Sequence, residues 1–184
     1  MAAFARASGF TLIEMLMTMA IAAILLDIAV PSFRYVTNSN RIAGEINGLL
    51  GDLQFARAEA IKEGKNVTVC ISSDHLNCSP NPAAWQNGWI VFRDPTNTGV
   101  PAVGSVLRMQ KTFSGTDTFV SNGINGITFV SFNREGYAPV ANATLITLHD
   151  STNTGAWTRC LSLNFVGQVT TVMVGVTVNG AICQ

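Results

Sequence analysis

Charge is scarce in this sequence. Only 12% of the 184 residues are Asp, Glu, Lys or Arg, and the two signs cancel at eleven each. Such a balance excludes the basic excess that usually marks a nucleic-acid-binding domain, so an anionic partner would have to be met locally. Glycine-rich phosphate loops, internal repeats and low-complexity tracts are also missing, which leaves nucleotide chemistry and repeat architectures without a carrier. The length suits one ordinary domain with an appended helix and is short for a two-domain enzyme.

The reactive side chains form no recognisable constellation. His149-Asp150-Ser151 has the side chains of a hydrolytic triad, but a triad is made by spatial geometry and sequence neighbours rarely face one another, so this reads as a strand end. Cys70, His75 and Cys78 match no closed zinc spacing. The segment from Asp94 to Gly99 offers a single carboxylate, which fits a hairpin turn better than a calcium loop. Trp85, Trp89 and Trp157 sit at strand-like positions, as core or interface anchors do. No catalytic residue, metal or cofactor is expected. The four cysteines fall into two local groups, Cys70/Cys78 and Cys160/Cys183, and in an exported domain these groups are expected to pair, although four cysteines permit three connectivities.

The amino terminus is the most informative part. Residues 1–9 carry one cation, Arg6, and no acid, and an apolar stretch over 10–30 follows without a break. At about 1.5 Å per residue those twenty-one residues reach roughly the 30 Å of a bilayer's hydrocarbon core. The basic leader should stay cytoplasmic and send everything after Pro31 to the far side. An ordinary secretory signal fits less well, because the apolar stretch is too long and no small-x-small cleavage site closes it. Glu14 lies inside the stretch, where an unpaired carboxylate costs about 2.5–3.5 kcal/mol. Cleavage after Gly9 would leave the α-amino group of Phe10 as a cation at the same depth, available to a neighbouring subunit's Glu14. A buried ion pair of that kind sets register between helices better than it adds stability. Asp27, near the outer end of the span, has two readings: contact with interfacial water, or pairing with a basic residue of another subunit.

Farther on, Ile42, Ile46, Leu49, Leu53, Ala56 and Ala60 recur at three and four residues, which predicts an amphipathic helix continuing the membrane helix through 31–63. Gly44, Gly48 and Gly51 each cost up to about 1 kcal/mol relative to Ala, so that helix depends on packing. Gly64 supplies the stop. The texture beyond it predicts strands near 66–71, 88–93, 106–111, 126–132, 144–149, 159–166 and 169–178. The expected class is α+β: a long amino-terminal helix on a globular domain, residues 64–184, of two antiparallel β-sheets or one strongly bent sheet.

Gly9-Phe10-Thr11-Leu12-Ile13-Glu14 resembles the class III signal of type IV prepilins and type II secretion pseudopilins. The resemblance implies cleavage between Gly9 and Phe10 by a prepilin peptidase, N-methylation of Phe10, and assembly through Glu14 and the helix-interrupting Pro31. More narrowly, the segment Leu53–Ala60, then Val67-Thr68-Val69-Cys70, the tryptophan-glycine block from Trp85 to Asp94, and Ile127-Thr128-Phe129 through Gly136 are similar to the FimT/GspH group of minor pilins and pseudopilins. That group implies a pilin-like fold and a non-enzymatic, low-copy subunit that primes or caps a filament. It implies partners among other minor and major pilins or pseudopilins and an inner-membrane assembly platform, with the carboxy-terminal domain in the periplasm.

Some FimT-type members are thought to bind DNA during natural transformation through a Gly-Arg-x-Arg loop. The matching position reads Gly167-Gln168-Val169-Thr170, without either arginine, and phosphate contacts by Lys and Arg supply most non-specific affinity. From Gly64 onward six cations (Lys65, Arg93, Arg108, Lys111, Arg134, Arg159) face five acids (Asp74, Asp94, Asp117, Glu135, Asp150). Folding could still gather Arg108, Lys111 and Arg134 on one surface, with Gly167 and Gln168 at the family's loop position, which leaves a pilus-associated DNA-binding subunit as the alternative expectation.

Overall fold

The structure is a computed structural model that describes residues 9–122, 126–139, 144–150, 152, 155–178 and 180–184. Its contacts divide the chain into two compact units, Met1–Asn38 and Ser39–Gln184. The longest element, α1 (Leu12–Glu63), has 52 residues and carries Pro31 inside it. Among the described residues of the first unit the large apolar side chains stand exposed, and α1 is long and apolar enough to cross a membrane.

In the second unit the expected stripe is the buried one. Ile42, Ile46, Leu49, Leu53, Ala56 and Ala60 are each 3% exposed or less, because the three- and four-residue spacing keeps them on one face. Gly64, at a φ of 66°, then turns the chain out of the helix, and Lys65 N donates to Ala60 O at 3.3 Å.

Two antiparallel four-stranded sheets cover that face. One is ordered β3-β2-β1-β5, from β1 (Val67–Ile71), β2 (Trp89–Arg93), β3 (Val106–Gln110) and β5 (Phe129–Phe132). The other is ordered β4-β6-β7-β8, from β4 (Thr118–Asn122), β6 (Thr144–His149), β7 (Arg159–Leu163) and β8 (Val169–Met173). A hairpin of β9 (Thr177–Val178) and β10 (Ala181–Ile182) follows.

Alternation along the strands separates the faces. Val67, Val69, Ile71, Trp89 and Val91 of the first sheet, with Phe119, Ile146, Leu148, Leu161 and Leu163 of the second, join the helix stripe in one core. The opposite residues form two satellite clusters, Cys70 with Ile90 and Phe92, and Leu145 with Cys160 and Cys183. Each satellite is closed by a disulfide, Cys70–Cys78 (Cα–Cα 5.6 Å) and Cys160–Cys183 (5.9 Å). This two-sided cover is why β1 is buried at every position rather than at alternate ones.

Several boundaries differ from the sequence expectation. The run expected over 169–178 is broken at Val174-Gly175 into β8 and β9. The run over 159–166 stops at Leu163, because Asn164 O accepts Gly167 N and starts a turn. The run expected from 126 begins only at Phe129. Strand β4 was not expected, since its five residues include only two apolar ones; Phe119 is drawn into the core by the tertiary fold.

Leu53→Ala should cost about 2–5 kcal/mol of stability by thermal unfolding, as a large-to-small change in a filled core. Met109→Ala, at a side chain 58% exposed, should stay within about 0.5 kcal/mol.

Candidate functional site

Two groups of residues carry functional interest: the amino-terminal segment around Gly9, Phe10 and Glu14, and the polar ties that hold the domain. At the amino terminus Gly9 and Phe10 are exposed, Phe10 by 81%. Thr11 Oγ1 accepts the backbone N–H of Glu14 at 3.3 Å, so Thr11 is the N-cap and Glu14 stands at the third helical position. Thr-x-x-Glu is the capping-box spacing, a second role for these residues that the sequence reading did not assign. Glu14 also lies in the first turn, where the helix dipole favours an anion. Pro31 lies within α1 without ending it.

In the domain, acids and arginines of α1 engage residues far along the chain. Arg41 makes a bidentate pair with Asp117, Nε to Oδ2 and Nη2 to Oδ1, both at 2.7 Å, and the Asp117 side chain is fully buried. Glu45, one turn from Arg41, has Oε2 buried with no donor to it among the described residues, and when protonated its carboxyl hydrogen-bonds to Asp117. Burial, reinforced by the nearby Asp117 carboxylate, pushes its pKa up to about 7. Asp52 accepts Trp89 Nε1 at 2.9 Å and Arg108 Nη1 at 3.1 Å, while the Arg108 guanidinium lies 3.8 Å from the centre of the Phe55 ring. Glu63 holds Arg93 at 2.7 Å, and that guanidinium keeps the Glu63 carboxyl below its usual range.

Arg57 joins two turns. Its Nε donates to Gly136 O and its Nη2 to Val166 O, both at 3.0 Å. These turns bring Gly167 against Gly136 so closely that a β-carbon on Gly167 would overlap the Gly136 carbonyl oxygen, and Gly167 has a φ of 75°. Only glycine meets both demands. The next residue, Gln168, is fixed by its N–H donating to Asn164 Oδ1 at 2.8 Å. The sequence pointed to Gly136 and Gly167, and to Arg57 only as one residue of the family-like segment Leu53–Ala60, without assigning it this role.

The cations considered for DNA are not brought together. Arg108 is on β3, at one edge of the first sheet, and is committed to Asp52 and Phe55. Arg134 follows β5, at the opposite edge, and is paired with Glu135 at 2.9 Å. Lys111 is exposed just beyond β3. Other constellations resolve structurally. Cys70 and Cys78 are consumed by their disulfide, so they cannot ligate metal beside His75. Asp94, 2% exposed, turns inward to accept Thr98 N at 2.9 Å and Gly99 N at 2.7 Å, closing a turn. His149 Nδ1 lies 3.2 Å from Thr158 Oγ1, with its pKa lowered by burial, and Ser151 lies outside the described residues. Trp85 and Trp89 are fully buried and Trp157 packs at the core's margin. No group of three or more metal-ligating side chains occurs among the described residues.

A long amino-terminal helix whose second half carries two antiparallel sheets defines a pilin-like fold. The model of the family "Type II transport protein GspH" matches residues 45–167, and the "Prokaryotic N-terminal methylation motif" matches residues 4–26. The chain belongs to the GspH family, a group of minor pilins and pseudopilins. Among solved structures it is similar to the type IV minor pilin FimU of Pseudomonas aeruginosa PAO1 in two crystal forms. One aligns with a TM-score of 0.54 at 16% identity, over 71% of this chain and 91% of that one. The other aligns with a TM-score of 0.57 at 18% identity, over 73% and 90%. At these identities the likeness speaks for the fold. No curated protein sequence matches.

Two outcomes test the polar ties. With its pKa raised above the unfolded value of 4.5, Glu45 binds its proton more tightly in the folded state, so its contribution to stability declines as pH rises from about 4.5 to 7. Glu45→Gln should flatten that decline and raise the melting temperature at pH 8, as read by thermal unfolding across pH. Gly167→Ala should cost at least about 1–3 kcal/mol from backbone strain alone, measured by denaturant unfolding.

Proposed function

We propose that this chain is a prepilin, cut between Gly9 and Phe10 by a prepilin peptidase that also methylates Phe10. The processed subunit then helps to initiate or cap a type IV pilus or a type II secretion pseudopilus. The observation that carries the reading is the amino-terminal constellation: Gly9-Phe10 ahead of a membrane-length apolar helix interrupted by Glu14, within the stretch matched by the methylation motif.

The physical logic follows from that placement. Before assembly the apolar helix anchors the subunit in the inner membrane with the domain on the periplasmic side, as the leader's Arg6 directs. Cleavage creates an α-amino group on Phe10, and Glu14 of a neighbouring subunit neutralises it inside the filament. The partners are therefore other minor and major pilins or pseudopilins and the inner-membrane assembly platform. Such a subunit transfers no chemical group, and its work is done by packing and register. Pilus-associated DNA binding draws no specific support, because Gln168 and Thr170 are neutral and Arg108 and Arg134 are internally paired at opposite sheet edges.

The test is the mass of the amino-terminal peptide from protein recovered from membranes. A terminus at N-methylated Phe10 is expected. Glu14→Ala should still be cleaved, yet be depleted from sheared or detergent-released filaments. An intact Met1 leader in cells with an active prepilin peptidase, or cleavage beyond Val30, would overturn the reading.

A further inference from the structure

The four outer strands of the two sheets are protected unequally. At β4 the outward N–H of Phe119 donates to Gln86 Oε1 and that of Ser121 to Pro82 O, both at 3.1 Å, so a loop already covers this edge. Strand β3 carries Arg108, with Lys111 just beyond it. Strand β5 is followed by the Arg134–Glu135 pair. Charges at an edge discourage a further strand.

Strand β8 has neither device. It closes the order β4-β6-β7-β8, and among the described residues the backbone of Val169, Thr170 and Thr171 bonds to nothing beyond β7. From Cys160 to Gln184 the sequence has no Asp, Glu, Lys, Arg or His. At the end of the open edge and just beyond it stand Met173 (70% exposed) and Val176 (47%). The β9–β10 hairpin meets the carboxy-terminal end of β8, where Cys183 O accepts Gly175 N at 2.8 Å and Val172 packs with Val178 and Ala181, and the disulfide ties it beside Leu145 and Cys160 against the sheet's face. The same edge begins at Gly167-Gln168-Val169-Thr170, which Arg57 and Asn164 hold in place from behind.

We propose that the β8 edge is a docking edge for an extended, uncharged segment of a neighbouring protein subunit, which adds to the second sheet as a fifth strand. The occupant's chemistry follows from the edge. Unpaired backbone groups along a strand are satisfied by another backbone running alongside at about 4.8 Å. With no charge in the strand or in the other twenty residues of 160–184, the edge itself offers no ionic partner to an acidic or basic peptide, and its Thr, Val and Met side chains suit β-branched and apolar neighbours. The identity of the subunit as a fellow filament component rests on the function proposed above.

The experiment uses the full-length protein in membranes of cells that hold its natural partners, with a photo-crosslinking benzoyl-phenylalanine in place of Thr170. The expected product contains a peptide of another membrane-anchored subunit, and the crosslinked residues fall in an uncharged stretch. Met173→Lys in the same chain should reduce the yield about tenfold while leaving the thermal midpoint unchanged, and the probe at Thr118 on the covered β4 edge should give no such product. Amide exchange over residues 169–171 should slow in membranes relative to detergent-dispersed monomer. Absence of product, a product indifferent to Met173→Lys, or crosslinking to nucleic acid or lipid alone would overturn the proposal. The Phe10 peptide mass from the same sample separates the two readings. Methylated Phe10 without the crosslink defeats only the docking edge, and an uncut leader with the crosslink retained defeats only the prepilin assignment.

Discussion

The domain depends on covering one apolar stripe of a helix that is a poor helix on its own account. Three glycines, Gly44, Gly48 and Gly51, weaken it, and a β-carbon added at any of them would meet nothing within 4 Å among the described residues outside the helix's own turns, so no tight packing there offsets their cost. Its order comes from the opposite face, where Ile42, Ile46, Leu49 and Leu53 are sealed by both sheets. Once the inner faces of the sheets are committed to the helix, their outer faces need a cover of their own. Both receive it in the same way, from a segment tethered by a disulfide.

The charged residues of the domain are spent largely on keeping the helix, turns and sheets in register. Arg41, Asp52, Arg57 and Glu63 each reach a residue of a strand or turn, and the acceptors of Arg57 are backbone carbonyls of two separate turns. The acids Glu59, Asp94 and Asp117 are buried, while the paired cations Arg41, Lys62, Arg93 and Arg108 keep side chains 39% exposed or more.

What could be read from the sequence was what repeats locally. The helix stripe follows from three- and four-residue spacing, β1 and β2 from dense β-branched and aromatic residues, and the stop at Gly64 from a single residue whose conformational freedom is needed there. The prepilin-like terminus was legible because an acid in an apolar run is so costly that it demands a reason. Illegible were the features that tertiary contact creates. Strand β4 has too little apolar pattern to announce itself. Glu45 owes its altered acidity to burial under the fold and then to Asp117, 72 positions away, and Arg57 meets its two acceptors 79 and 109 positions along the chain. Neutrality over 160–184 was visible in the sequence, but only the strand order turns it into an open edge.

The placement of Cys183 bears on how such a chain matures. A polypeptide emerging amino terminus first delivers the helix, then the first sheet together with the Cys70–Cys78 closure, and completes the strands of the second sheet at Met173. The outer face of that second sheet, with Leu145 and Cys160, stays uncovered until Cys183 arrives and is oxidised. A molecule interrupted anywhere between Met173 and Cys183 would thus possess every strand of both sheets and yet show a bare apolar surface and a lone thiol. Both are features by which quality-control factors tell an unfinished protein from a finished one.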